Sequence, residues 1–215
     1  MRVAALYDVH GMPWALEAVL AENDADTIVF GGDLAWGPYP RETLALIRAL
    51  DAHVIRGNTD REPDEWLAEQ LTPAELEWLR RLPTSVSVDG VFYCHATPRS
   101  DEEIITPEMP EELIEEMLAG VDERLVVGGH THMQQRRGRY VNAGSVGMPY
   151  EGEVAAFWAV IADDAEFRRT PFDVEHAVAE LRRSDWPLAD AFAEENLVQP
   201  PTREDATFQF RPKGT

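Results

Sequence analysis

The chain has 215 residues, 44% of them hydrophobic, with 40 acidic against 19 basic side chains and a formal charge of −21. That length and composition fit one globular domain with a substantial core and exclude a chain disordered throughout. The longest apolar run, Val154 to Ala162, is nine residues, too short to cross a bilayer. No basic stretch with an apolar one behind it follows Met1, so the expectation is a cytoplasmic protein without a membrane partner.

Single residues exclude whole chemistries. Cys94 is the one cysteine, which rules out an internal disulfide and a multi-cysteine zinc site. Lys213 is the one lysine and lies at the C-terminus, so a P-loop or Schiff-base lysine in the body of the domain is excluded. The acidic balance repels duplex nucleic acid, which is not an expected partner. A phosphate-bearing substrate needs a local reversal of that field, and a metal cluster supplies one.

Val3 to Tyr7 reads as a buried strand, Pro13 to Ala21 as a helix, and Thr27 to Phe30 as a second strand ending in Gly31-Gly32-Asp33. A helix over Pro40 to Leu50 and a strand over His53 to Arg56, ending in Gly57-Asn58, complete a β-α-β-α-β alternation that argues for a parallel sheet. Thr72-Pro73-Ala74-Glu75 is a capping box opening a helix to about Arg81. A hairpin around Asp89-Gly90, an acidic helix over Pro110 to Ala119, a strand over Leu125 to Gly128 and a hairpin at Gly138 follow. Val154 to Ile161 and Glu166 to Thr170 read as strands, and Asp173 caps a helix to Arg183. Residues 187 to 215 hold a short helix and a tail whose alternating Phe208 and Phe210 suggest an extended segment.

Strand ends repeatedly deliver metal-ligand residue types. Asp8 and His10 follow the first strand, Asp33 the second and Asn58 the third; His95 ends a hairpin strand, and His130 and His132 follow Gly129. Pairs at i and i+2 can direct both side chains to one point. Open α/β sheets place ligands at such termini. Each motif alone is weak; the order of all five is specific.

That order, D-x-H, G-D, G-N-x-D, H, G-H-x-H, resembles the calcineurin-like metallophosphoesterase superfamily over Arg2 to about Ala162, and most closely its small bacterial phosphodiesterases. Gly37-Pro38-Tyr39-Pro40, His95-Ala96-Thr97-Pro98 and Asn142-Ala143-Gly144-Ser145-Val146-Gly147 are similar to theirs as well. The resemblance implies a two-sheet α/β sandwich flanked by helices, over residues 1–186, with 187–215 packing on that domain or on a second subunit of a homo-oligomer. It implies two divalent ions (Mn, Fe, Zn or Ni): one held by Asp8, His10, Asp33 and His132, the other by Asp33, Asn58, His95 and His130. Two carboxylates against two such ions leave about +2, which a bridging hydroxide nucleophile and an anionic phosphate neutralise. The implied function is a phosphodiesterase, with nucleotide or dinucleoside polyphosphate hydrolysis and phosphomonoesterase activity as alternatives, on a small phosphate ester or nucleotide.

Two departures from the family pattern matter. Thr59 stands where many relatives carry the histidine of G-N-H-D, a group thought to protonate the leaving group, and Met12 stands where close relatives often carry asparagine. Around the ligands, Asn58 and Asp60 are assigned to the catalytic machinery, Asp60 by orienting a ligand. Trp36 and Tyr39 can wall a substrate pocket, and Arg61 and Arg99 can bind phosphate oxygens. One rival is a serine hydrolase built on Ser145 with Asp173 and His176. Another is a non-catalytic metal-binding interaction module on the same fold.

Overall fold

The computed structural model describes residues 1–211, so Lys213 lies outside it. Strand β1 (Val3–Leu6) leads through α1 (Pro13–Glu22) to β2 (Thr27–Phe30), then through α2 (Pro40–Arg48) to the two-residue β3 (His53–Val54). Three helices follow, α3 (Asn58–Arg61), α4 (Glu65–Gln70) and α5 (Pro73–Arg81). Strands β4 (Ser85–Val88) and β5 (Val91–Cys94), helix α6 (Glu111–Met117), and strands β6 (Leu125–Gly128), β7 (Gln135–Arg137) and β8 (Tyr140–Asn142) come next. Strands β9 (Ala156–Ile161) and β10 (Ala165–Thr170) precede α7 (Val174–Arg183), α8 (Ala189–Phe192), a π-helical segment Ala193–Val198 and α9 (Arg203–Gln209).

The strands form two five-stranded sheets, ordered β10-β9-β1-β2-β3 and β4-β5-β6-β8-β7. In the first, β1, β2 and β3 are parallel, as the alternation predicted, and β9 and β10 add antiparallel. In the second, β5, β6 and β8 are parallel between antiparallel edges. Period-two alternation sorts each strand between two cores. Val3, Ala5 and Tyr7 face Tyr93, Val127 and Val141 in the sandwich interior, while Ala4 and Leu6 face the helices with Leu16, Leu44 and Ile47. A third cluster, Cys94, Ile114, Leu118, Val126 and Tyr140, lies under α6 on the far side. Each wholly buried leucine or isoleucine contributes roughly 1.5–3 kcal/mol. The result is four layers: helices, sheet, sheet, helix. No helix among the described residues is long and apolar enough to cross a membrane.

Local signals explain most helix starts. Thr72 caps α5, its hydroxyl accepting from Glu75 N at 3.3 Å while Glu75 Oε2 accepts from Thr72 N at 2.7 Å. The tail departs from expectation. Residues 203–209 are helical rather than extended, because Thr202 and Asp205 form a second capping box, with Asp205 N donating to Thr202 Oγ1 at 3.1 Å. Ala206 and Thr207 turn inward and Phe208 stays exposed, so the Phe208–Phe210 spacing is no strand signal. Phe192 and Leu197 join the outer core of their own chain.

Candidate metal centre

The loops after β1, β2, β5 and β6 converge, and their backbones do so at a cost. Asp8, His10, Asp33, His130 and His132 all have φ between 50° and 65°; among the described residues the sixth non-glycine residue of positive φ is Asp89, in the β4–β5 turn. Aspartate and histidine tolerate this left-handed region better than most side chains. Five such residues in one place still represent roughly 1–3 kcal/mol of strain each. The strain turns side chains from both sheets toward one point.

Two groups result, Asp8 with His10 and His132, and Asp33 with His95 and His130. His10 Nε2 and His132 Nε2 face each other at 3.2 Å, and His132 Nε2 lies 3.4 Å from Asp8 Oδ1. Asp33 Oδ2 reaches His95 Nε2 at 3.5 Å and His10 Nε2 at 4.0 Å, so it stands between the groups. Asn58, opening α3, sets Oδ1 at 3.0 Å from His95 Nε2.

The donor set suits divalent cations on the structure's own terms. Each aspartate gives one oxygen to the backbone and keeps the other for the site: Asp8 Oδ2 accepts from His130 N at 2.9 Å, and Asp33 Oδ1 from Thr59 N at 3.0 Å. Asp8 Oδ1 is buried with no hydrogen-bond partner. Such an orphan costs about 1–3 kcal/mol unless something cationic meets it. His95 Nδ1 donates to Gly31 O at 2.9 Å and His132 Nδ1 to Met148 O at 2.7 Å, the tautomers being assigned from those carbonyl acceptors. Both Nε2 atoms therefore point inward, as metal-binding imidazoles require.

Burial and crowding set the proton affinities. Burial, then His132, push His10 down to about 4. Burial also works against charge on His95, but Asp33 overrides it and holds the imidazole up at about 10. A site that draws a proton this strongly draws a divalent cation for the same reason. Asp60, wholly buried, is raised to about 7 by burial and then by Asp33. Its carboxylate accepts from Gly57 N at 2.9 Å and Leu34 N at 3.0 Å, tying the Asp33 loop to the Asn58 loop.

Other predicted residues sort themselves by contact. Trp36 packs edge-on against His10, with ring centroids 5.6 Å apart, so it flanks the first ligand group. Tyr39 does not: its hydroxyl donates to Glu180 O at 3.0 Å, its ring packs against Trp14, and it lines a separate cavity with Trp66 and Arg183. Arg61 and Arg99 line a cavity together with His95. Met12 is buried in the outer core, which removes it from any phosphate contact. Tyr150, not singled out from the sequence, covers His132 with ring centroids 4.7 Å apart. No local motif marks it.

The serine hydrolase reading finds no support in the geometry. Ser145 is wholly buried, its hydroxyl donating to Asp8 O and accepting from Met148 N, both at 2.8 Å. Asp173 caps α7 by accepting from His176 N at 2.9 Å. Ser145→Ala is expected to cost about 1–3 kcal/mol in chemical denaturation, because Met148 N loses its acceptor and Asp8 O keeps only Gly147 N. Labelling of the native protein by a fluorophosphonate at Ser145 would contradict this.

A family model, the calcineurin-like phosphoesterase superfamily domain, matches residues 1–164. The chain belongs to that superfamily. A metallophosphoesterase from Sphaerobacter thermophilus superposes with a TM-score of 0.76 at 26% identity, over 90% of this chain and 98% of that one. A hypothetical protein from Pyrococcus horikoshii OT3 shares the fold with a TM-score of 0.75 at 21% identity, over 89% and 97% of the two chains. No curated protein matches by sequence. Calcineurin-like phosphoesterases generally hold two divalent metals, and two candidate ligand groups are present here. The superfamily implies phosphoester hydrolysis, and residues 165–211, beyond the match, add β10, α7 and the C-terminal helices.

Proposed function

We propose that this protein is a two-metal-dependent phosphodiesterase acting on a small phosphate ester or nucleotide in the cytoplasm. The observation that carries the reading is the pair of ligand groups with Asp33 between them and Asn58 beside His95. Every ligand position is filled, which a scaffold has no need of. When bound, two divalent cations supply Lewis acidity at the phosphoryl oxygens and lower the pKa of a water nucleophile toward neutrality.

The chain's own residues hold and orient. Asp8, His10, Asp33 and His132 would hold one cation, and Asp33, Asn58, His95 and His130 the other. Gly31 O and Met148 O keep His95 and His132 in the binding tautomer. Trp36 and Tyr150 shield His10 and His132 from water on their outer sides. Thr59 donates its backbone N–H to Asp33 while its hydroxyl is buried without a partner, so position 59 offers no titratable proton donor to a leaving group.

This last point sets the substrate preference. General-acid help contributes typically 10²–10⁴-fold, and substrates with acidic leaving groups need it least. Chelator-stripped protein given Mn²⁺ is expected to cleave an aryl phosphodiester faster than an alkyl monoester. Thr59→His is expected to raise monoester turnover by about 10²-fold. An alkyl monoester hydrolysed faster than the aryl diester would overturn the preference, and no hydrolysis with any divalent ion would overturn the activity.

A further inference from the structure

On a chain of formal charge −21, one cavity beside the ligand set gathers three arginines. It measures about 180 Å³ and is lined by Arg56, Arg61 and Arg99, by the hydroxyl side chains of Thr84 and Ser100, and by His95. That is several times the roughly 30 Å³ share of one liquid water, room for a phosphoryl group. Of the carboxylates paired with these arginines, Asp101 lines the cavity, while Glu62, Glu102 and Glu103 reach Arg61 or Arg99 from outside the lining. His95 belongs both to this wall and to the second ligand group, so cavity and metal site are neighbours.

The three arginines are not equivalent. Arg61 pairs with Asp101 and, at 2.7 Å, with Glu102, while Arg99 pairs with Glu103 at 2.7 Å. These pairs fix two cationic forks on the cavity wall. Among the described residues Arg56 has no carboxylate within ion-pair distance; Nη1 donates to Arg80 O at 3.2 Å, and Nε is buried without an acceptor. Arg61 Nε makes no hydrogen bond either, with Glu62 Oε1 3.4 Å away. Permanently charged planar donors, hydroxyls and unspent N–H groups are the chemistry of phosphate recognition.

We propose that this cavity is a second anion subsite, seating a further phosphoryl group of the substrate beside the one that is cleaved. The inference deepens the phosphodiesterase reading and rests on it for the substrate. The substrate class narrows to esters or anhydrides carrying at least two phosphoryl groups, such as an ester of a nucleoside diphosphate. Cleavage needs nothing beyond water: the P–O bond to the leaving group breaks as the P–O bond to water forms, and the retained phosphoryl group stays seated.

Calorimetry with inorganic pyrophosphate on chelator-stripped protein tests the subsite without using activity. Binding is expected, weakening with salt, and dropping about tenfold or more in Arg56→Gln and in Arg99→Gln. The Arg99 side chain is 50% exposed, so that variant folds even where Arg56→Gln does not. With Mn²⁺ present, the p-nitrophenyl ester of a nucleoside diphosphate is expected to outrun that of the monophosphate, mainly through KM, and Arg56→Gln is expected to erase the difference. Pyrophosphate binding that is absent, or unchanged in both folded variants, overturns the subsite. Binding that is present and weakened in the variants, with every ester left intact, upholds the subsite and overturns the phosphodiesterase reading instead.

Discussion

Replacing Asp33 with asparagine is expected to lower Mn²⁺-dependent phosphodiester hydrolysis by about 10²–10³-fold and to release one cation per chain on dialysis. The reasoning is positional. Asp33 is the carboxylate that reaches toward both ligand groups, through His10 and His95, and it is wholly ionised in the fold because those imidazoles outweigh the cost of its burial. Asparagine fits the same left-handed backbone, φ 52°, and can still accept the Thr59 N–H, so the loop keeps its shape and only the charge is lost. Thermal stability gives a second readout. Saturating one site at a hundred times its Kd stabilises a protein by about 2.7 kcal/mol, or roughly 5–11 °C in Tm at this chain length. Wild-type protein is expected to show at least that rise on Mn²⁺ addition, and Asp33→Asn less than half of it. A variant that kept two metals and full activity would sink the assignment of Asp33 between the sites.

Gly31→Ala is expected to be strongly damaging, costing about 3 kcal/mol or more and lowering Tm by roughly 6–12 °C. A methyl group there would stand 1.9 Å from Tyr7 Cε1. Tyr7 has nowhere to go: it is wholly buried between the sheets, and its hydroxyl is anchored on Val127 O at 2.9 Å. The carbonyl of Gly31 also holds His95 Nδ1, so the same methyl disturbs a ligand as it disturbs the core. Gly90→Ala is the control. Its φ is +71° but nothing lies within 4 Å, so it is expected to lose only about 1–2 kcal/mol of stability, all of it to backbone strain. Equal melting temperatures for the two variants would show that close approach at Gly31 is not what limits the site.

The ligand residues were legible because chemistry restricts them to few residue types and the fold restricts them to strand ends. Asp8, His10, Asp33, His130 and His132 occupy the positive-φ turns just past parallel strands, where a short polar residue beside glycine is a local signal. The alternation of Val3 to Tyr7 between two cores was legible for a similar reason, since period two needs only neighbours. The contacts of Tyr39 and the tail were not legible because their surroundings are distant in the chain or set by a weak local signal. Tyr39 follows a ligand loop in sequence, yet its hydroxyl is claimed by Glu180, 141 residues away. Two phenylalanines at i and i+2 look extended until the Thr202–Asp205 box, a weaker variant of the usual Thr–Glu pair, winds them into α9.

By itself, then, the amino-acid order gave a parallel β-α-β sheet with metal-ligand residue types at its strand ends, since those are properties of short segments, and its likeness to calcineurin-like phosphoesterases gave the two-sheet sandwich. What only the tertiary structure decided is the environment of those ligands. Asp33 stands between two histidine groups, Ser145 serves the Asp8 loop across 137 residues, and Arg56 shares a cavity with Arg99 and His95. These are contacts between segments that no local pattern couples. They exist because two sheets, pinned together near Tyr7, bring the ends of their parallel strands to one edge.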